Sequence, residues 1–121
     1  MQHGIAKALD GFTDHTFDGT GELMRVNADK VTAALRGLGF RVYQPSGGYF
    51  VVADCSPLGF KTNMDFCNHA LDATKVAVAP MNMFYGTPPS ELSASEKCLV
   101  RLAICKTEPV IDEAIKRLEM L

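Results

Sequence analysis

The stretch KCLVRLAICK, residues 97–106, decides how this sequence is expected to fold. Its central residues are apolar except for one arginine, Arg101. Alternation along a strand places Arg101 on the face opposite to four apolar residues. These four are Cys98, Val100, Leu102 and Ile104. A half-buried guanidinium keeps its charge and needs a carboxylate or phosphate partner. That partner is either an internal carboxylate, such as Asp54, or a bound ligand.

The composition is that of one globular domain. The chain has 121 residues, of which 47% are hydrophobic and 21% are charged, and this length can bury a core. A formal net charge of −2 argues against nucleic-acid binding, which needs a basic excess. No apolar run is long enough to cross a bilayer, and residues 1–20 lack the apolar core of a signal peptide. We therefore expect a cytoplasmic protein that binds neither nucleic acid nor a membrane.

The cysteine and histidine residues do not form a recognisable metal or catalytic motif. Cys55, Cys67, Cys98 and Cys105 lack CxxC spacing, so reduced thiols are expected rather than a disulfide framework or a zinc site. A Cys/His metal-binding domain, with Cys67 and His69 as half of a site, is kept as a minor alternative. We predict no metal ligands.

The predicted elements follow the order helix, helix, strand, strand, helix, strand, strand, helix. The predicted helices are 2–10, 22–38, one that Thr62 caps and one that Thr107 caps; the predicted strands are 40–43, 49–53, 76–79 and 97–106. Residues 45–48 are turn residues that join the first two strands in a hairpin, and residues 81–96 are expected to form a long loop. This order indicates an α+β fold with helices packed on a small, mostly antiparallel or mixed sheet.

The two later helices are predicted in more detail. Apolar spacing turns one set of residues in each helix inward. The set is Phe66, Cys67, Ala70 and Leu71 in the third helix, and Val110, Ile111, Ala114, Ile115 and Leu118 in the last. Two i,i+4 ion pairs are expected on the exposed side of the last helix. They are Asp112 with Lys116, and Glu113 with Arg117.

Five strings between residues 39 and 118 occur in a recognisable order. They are GF (39–40) followed by P-x-GGYFV-x-x-D (45–54), DFC (65–67), VAVAP-x-x-x-FY (76–85), CLVRLAICK-x-E (98–108) and EAI-x-RL (113–118). Together they resemble the C-terminal small domain of class I and II pyridoxal-phosphate-dependent aminotransferases, nearest to the kynurenine, glutamine and methionine aminotransferase branch. Residues 27–29 and 80–82 depart from the patterns of that family.

The resemblance implies a role for each part of the chain. Residues 1–19 would be an inter-domain helix and loop remnant, and residues 20–121 the small domain. Arg101 would receive the α-carboxylate of the substrate, and Tyr49 and the Phe84–Tyr85 pair would lie near the cleft that holds it. No residue of this chain is expected to be catalytic or to bind the cofactor, because the lysine motif that carries pyridoxal phosphate is absent here and belongs to a large domain.

The expected function is therefore that of a C-terminal fragment of an aminotransferase. The intact enzyme would transfer an amino group between an amino acid and a 2-oxo acid, as a homodimer, and this chain alone would be inactive. The alternative is a free-standing small ligand-binding or interaction module that has the same fold and no catalysis.

Overall fold

The computed structural model describes residues 1–121, apart from the side chain of Pro89. Its α-helices are α1 (Gln2–Leu9), α2 (Asp18–Gly37), α3 (Asn63–Thr74) and α4 (Glu108–Leu118). Its strands are β1 (Arg41–Tyr43), β2 (Phe50–Asp54), β3 (Ala79–Pro80) and β4 (Leu99–Ala103). The predicted α+β class is confirmed.

The four strands form one sheet in the order β1-β2-β4-β3, in which every neighbouring pair is antiparallel. The predicted hairpin is confirmed, because Val42 of β1 lies opposite Ala53 of β2. Strand β4 is central and is paired along its whole length with β2. Arg101 lies in the middle of β4, with Val52 on one side and Ala79 on the other.

Helices α2, α3 and α4 cover one face of the sheet, which we call the covered face. The predicted alternation along β4 is confirmed, since Val100, Leu102 and Ile104 are buried while Leu99 and Arg101 are only half-buried. The buried core joins these strand residues to side chains from all three helices. The helical members include Val31, Leu35, Phe66, Ala70, Ile111 and Leu118. The other side of the sheet, on which Arg101 lies, is called the open face.

Helix α2 ends where the sequence predicts and begins earlier than predicted. Gly39 follows the helix with φ +94°, a conformation that glycine adopts without steric cost. The amide of Phe40 then donates to the carbonyl of Leu35 at 3.0 Å, which closes the helix end. The first turn begins at Asp18 instead of Glu22, since an acidic side chain there is stabilised by the helix dipole despite the nearby glycines.

Helix α1 differs from the other helices because none of its residues is buried. Ile5 and Leu9 are both more than half exposed. In the described part of the chain, no helix combines the length and the apolar character that crossing a membrane requires.

Two kinds of local prediction are wrong: the extent of the third strand, and the burial of two helix residues. Strand β3 contains only Ala79–Pro80, because the chain pairs with β4 just before it enters the Met81–Phe84 turn. Leu71 and Val110 lie on the solvent side of their helices and are about half exposed.

The polar predictions for the last two helices have mixed outcomes. The cap of α3 is confirmed by a 3.1 Å bond from the amide of Asp65 to the hydroxyl of Thr62. Thr107 occupies the cap position of α4, but its side chain makes no capping bond. Arg117 pairs with Glu113 at 2.7 Å as predicted. Asp112 pairs across to Lys30 of α2 at 2.8 Å rather than to Lys116, because α2 packs against α4.

Two buried asparagine side chains hold the ends of β4. The amide group of Asn63 donates to the carbonyl of Leu99 at 2.9 Å. That of Asn27 donates to the carbonyls of Ile104 and Lys106 at 2.9 and 2.8 Å. Because buried carbonyls need partners, these bonds fix β4 at both ends, with Arg101 between them.

Candidate functional site

The open face of the sheet centres on the guanidinium of Arg101. The antiparallel register places Tyr43, Val52, Arg101 and Ala79 in one row across the four strands. Side chains in such a row point to the same face, and here they point away from the helices. The Arg101 residue is half-buried, as the sequence predicts.

Two phenylalanine rings stack on this guanidinium. The ring centroid of Phe50 lies 4.1 Å from Cζ of Arg101, and that of Phe84 lies 3.5 Å from it. Phe50 belongs to β2, whereas Phe84 follows β3, so the rings arrive from opposite neighbours of β4. A cation over the face of an aromatic ring is attracted by its quadrupole, by about 0.5–1 kcal/mol when exposed.

The internal ion pair considered for Arg101 is wrong. Among the charged groups that the structure describes, none lies within ion-pair distance of this guanidinium. Asp54 is buried and belongs to a different contact. One of its oxygens accepts from the amide of Ser56 at 2.8 Å, and the other lies 3.5 Å from Nη1 of Arg41. The Arg41 contact is an ion pair without a hydrogen bond, since that oxygen has no donor.

Arg101 also has hydrogen-bonding capacity that the described residues do not use. Its Nε atom is buried and has no hydrogen-bond partner among them. A buried donor without a partner costs about 1–3 kcal/mol. A planar guanidinium binds a carboxylate through two parallel N–H···O bonds along one edge. The arrangement is therefore suited to a carboxylate that approaches in the plane of the guanidinium.

Further aromatic and acidic groups lie at the edge of the open face. Burial raises the pKa of Tyr85, and the nearby Glu96 and Tyr43 raise it further. Glu96 in turn accepts a hydrogen bond from the amide of Ser93 at 2.8 Å, and hydrogen bonding to Ser93 lowers the pKa of its carboxyl group. These contacts order the end of the predicted 81–96 loop next to the strand that carries Arg101.

Tyr49, the second predicted substrate-binding residue, lies on the other side of the sheet. It lines a cavity of about 600 Å³ between α2 and the hairpin turn, together with Met24 and Ile104. Its neighbour Phe50 points to the open face, as alternation requires. The structure therefore does not bring Tyr49 together with Arg101, and a role for Tyr49 stays a prediction.

The chemistry of this cavity is less specific than that of Arg101. Its lining is mainly apolar. The charged residues Arg25 and Asp29 in its wall already pair with each other at 3.1 Å. An apolar cavity of this size suits a small ligand, but its charges are already neutralised within α2.

The lysine residues do not fit a pyridoxal-phosphate site. The chain has seven lysines, of which none is buried. Lys30 bridges Glu108 and Asp112, and the hydrogen bond that it donates to Asp112 is the main reason that its pKa is raised. A lysine that forms a Schiff base is instead activated by desolvation or by a neighbouring cation. We therefore assign no cofactor-binding residue to this chain.

The thiols lie in the core or stand alone. Burial raises the pKa of Cys55 to about 12 and that of Cys67 to about 11, which keeps both protonated. Cys98 is also buried, whereas Cys105 is exposed. Within the described residues, no three His, Cys, Asp or Glu side chains cluster in a way that could hold a metal ion.

Sequence reasoning found only part of what supports Arg101, because it placed the Phe84–Tyr85 pair near the cleft and gave no role to Phe50 or Asn27. Phe50 belongs to the string at residues 45–54, and its alternation with Tyr49 places it on the face of Arg101. Asn27 lies at a position where the sequence departs from the family pattern, and its two bonds to residues after β4 depend on tertiary packing. No local signal in the sequence indicates those bonds.

Comparison with known proteins gives consistent matches along the whole chain. A family model described as aminotransferase class I and II matches residues 1–118. The probable N-succinyldiaminopimelate aminotransferase DapC of Mycobacterium tuberculosis is 34% identical over 126 residues. That alignment covers 100% of this chain and 31% of the relative, so the chain spans about a third of the length of the curated relatives it matches.

Solved structures agree with the sequence matches. The N-succinyldiaminopimelate aminotransferase structure from Mycobacterium tuberculosis superposes with a TM-score of 0.80 at 33% identity, over 97% of this chain and 29% of that one. The Escherichia coli protein YbdL, identified as having a methionine aminotransferase function, superposes with a TM-score of 0.71 at 25% identity. That match covers 83% of this chain and 25% of YbdL.

Proposed function

This chain belongs to the aminotransferase class I and II family, and from that premise we propose that it is the small-domain part of a pyridoxal-phosphate-dependent aminotransferase. In this proposal, residues 20–121 form the small domain and residues 1–19 lead into it. The intact protein transfers an amino group between an amino acid and a 2-oxo acid, as a cytoplasmic homodimer. The cofactor and its lysine are held by a large domain outside this chain.

Within that enzyme, Arg101 binds the α-carboxylate of the substrate. The observation that carries this proposal is a half-buried guanidinium without a protein carboxylate, held between Phe50 and Phe84. A guanidinium that served only the fold would be expected to pair with an acid, yet Asp54, the acid considered for that role, lies against Arg41. No protein carboxylate therefore competes with a ligand for this guanidinium.

Arg101 acts by positioning rather than by chemistry. Two hydrogen bonds to a carboxylate fix both the place and the rotation of the substrate, which lowers the entropic part of the barrier. Asn27 and Asn63 hold the ends of β4, so the strand that carries Arg101 is fixed before the substrate binds. The bond-making chemistry belongs to the cofactor, for which the residues of this chain form no site.

The carboxylate proposal is tested by titrating the ¹⁵N-labelled 121-residue chain with acetate and following the Nε–H resonance of Arg101. We expect a saturable shift in the millimolar range, and no comparable shift at Arg36, an exposed arginine on α2. An Arg101→Leu variant should lose the other acetate-induced shifts on the open face. If the Arg101 resonance does not respond, the proposed role of this residue is wrong.

The division of labour between this chain and a large domain has its own test. The chain is incubated with pyridoxal phosphate, an amino acid and a 2-oxo acid, and both turnover and a borohydride-reducible lysine adduct are measured. We expect neither a transamination product nor an adduct that is confined to one lysine. Turnover by the chain alone would contradict the proposal.

The cavity beside Tyr49 favours a second candidate, a free-standing small-ligand module. Its volume of about 600 Å³ lies within the usual range for ligand sites. The coding sequence upstream of Met1 separates the two candidates. A continuous reading frame that encodes a lysine-bearing large domain supports the aminotransferase, and an in-frame stop directly upstream supports the module.

A further inference from the structure

We propose that Phe50 and Phe84 form an aromatic slot that makes Arg101 selective for flat carboxylates over tetrahedral anions. This inference rests on the proposed carboxylate-binding role of Arg101 and names two residues that determine its specificity. Phe50 and Phe84 are positioning residues in this account, because they act through the guanidinium.

Cζ of Arg101 lies over the faces of both rings, and we take the rings to lie on opposite faces of the guanidinium for two reasons. Both ring centroids lie within about 4 Å of Cζ, and two rings cannot occupy the same face at these distances without overlapping. They also approach from strands on opposite sides of β4. With both faces covered and Nε buried, the Nη edge of the guanidinium is left for a ligand.

The burial of the two rings indicates that they are not required for the core. Phe50 is 37% exposed and Phe84 is 51% exposed, and neither belongs to the buried core cluster. Core aromatic residues such as Phe66 lose nearly all of their exposure. Leaving two large apolar rings partly in water is unfavourable, and their common contact is Arg101.

The slot discriminates by the thickness of the ligand. A carboxylate lies in the plane of the guanidinium to which it is hydrogen-bonded, and is no thicker than that group. A tetrahedral anion that makes the same two bonds carries a further oxygen out of the plane, toward one of the rings. The negative face of an aromatic ring repels such an oxygen, so the rings disfavour sulfonates, sulfates and phosphates.

The test compares acetate with methanesulfonate, which have the same charge and the same methyl group but differ in shape. Dissociation constants for both are measured from the Arg101 Nε–H shift in the wild-type chain and in a Phe84→Leu variant. We expect wild type to bind acetate at least about threefold more tightly than methanesulfonate, and Phe84→Leu to lose most of this preference. Phe84→Tyr, which keeps the ring, should restore it.

Phe17→Leu serves as the matched control. Phe17 is also an exposed phenylalanine, but it lies edge-to-face against Phe12 and lines the cavity between α2 and the hairpin turn, away from Arg101. This variant should keep the wild-type preference. A purely structural role for Phe84 would change the unfolding midpoint and leave the acetate-to-methanesulfonate ratio unaltered, and that result would overturn the slot.

The failure of the slot and the failure of the proposed function give different results. If wild type shows no saturable acetate shift, the carboxylate role of Arg101 is wrong, and the slot is wrong with it. If wild type binds acetate and the ratio is the same in wild type and Phe84→Leu, only the slot is wrong.

Discussion

The two faces of strand β4 differ in the surroundings of their side chains. On the covered face, Val100 and Ile104 are almost completely buried and are surrounded by apolar groups from three helices. On the open face, Arg101 has no charged protein partner within the described chain, and its aromatic neighbours are partly in water. In our proposal, adjacent residues of one strand therefore serve different purposes, stability on one face and ligand binding on the other.

This difference has a physical basis in the period of a strand. Because successive side chains point to opposite faces, a substitution on one face leaves the other largely in place. The account therefore predicts that changes on the covered face lower the free energy of unfolding, while changes on the open face alter carboxylate binding at nearly constant stability.

The largest expected effect is on the covered side, at Phe66. Phe66 is buried and makes edge-to-face contacts with Phe40 and Phe60, with ring centroids 5.2 and 5.3 Å away. Phe66→Ala removes these contacts and leaves a cavity, so the free energy of unfolding should fall by about 3–5 kcal/mol. Urea unfolding measures it, with the exposed Phe17→Ala as a control. A loss below about 1 kcal/mol would contradict the assigned core.

A smaller effect is expected at Asn27, which connects α2 to the end of β4. Asn27→Ala leaves the carbonyls of Ile104 and Lys106 without the donors seen at 2.9 and 2.8 Å. The free energy of unfolding should fall by about 2 kcal/mol. The exposed Asn68 on α3 gives a control, Asn68→Ala, whose effect should stay within about 0.5 kcal/mol. Equal effects for the two variants would show that Asn27 does not hold the strand.

The folded chain should also lose stability at alkaline pH, because of the buried thiol of Cys55. Burial raises the pKa of Cys55 from 9.0 to about 12, so the folded chain keeps a proton that the unfolded chain releases. The free energy of unfolding should then fall as pH rises above about 9, by up to about 1.4 kcal/mol per pH unit, until pH nears the folded value. The difference between wild type and Cys55→Ala isolates this slope. Parallel pH curves for the two proteins would rule out this role of the thiol.

The smallest expected change in stability is that of Arg101→Leu on the open face. This change loses the stacking on Phe50 and Phe84 and also removes the unsatisfied Nε donor. These effects oppose each other, so the free energy of unfolding should change by no more than about 1 kcal/mol. Acetate binding should nevertheless disappear. A loss of more than about 2 kcal/mol in urea unfolding would make Arg101 a structural residue and remove the contrast between the faces.

Much of the fold follows from local patterns in the sequence. The alternation of residues 98–104 identified both faces of β4, and Gly39 marked the end of α2. These signals are local, because a strand period or a helix end depends on neighbours in sequence. What the sequence did not show depends on tertiary packing. For example, Asp112 pairs with Lys30 on α2 and not with Lys116, which lies one turn away on its own helix.

The sequence likewise indicates the central residue of the candidate site but not the contacts around it. Arg101 was identified from its unusual position, and the family resemblance suggested its role. The resemblance places Phe84 near the cleft, but its contact with Arg101 depends on the pairing of β3 with β4, which no local pattern shows. Tyr49 was selected instead of Phe50, a shift of one residue that moves a strand side chain to the opposite face.

A crystal structure of the 121-residue chain grown with acetate tests the central claim most directly. The account predicts a carboxylate lying in the plane of the Arg101 guanidinium, with two N–H···O bonds along its open edge and the rings of Phe50 and Phe84 on either side. A guanidinium that is paired with Asp54 or another carboxylate of the same chain, with acetate absent from the open face, would contradict it.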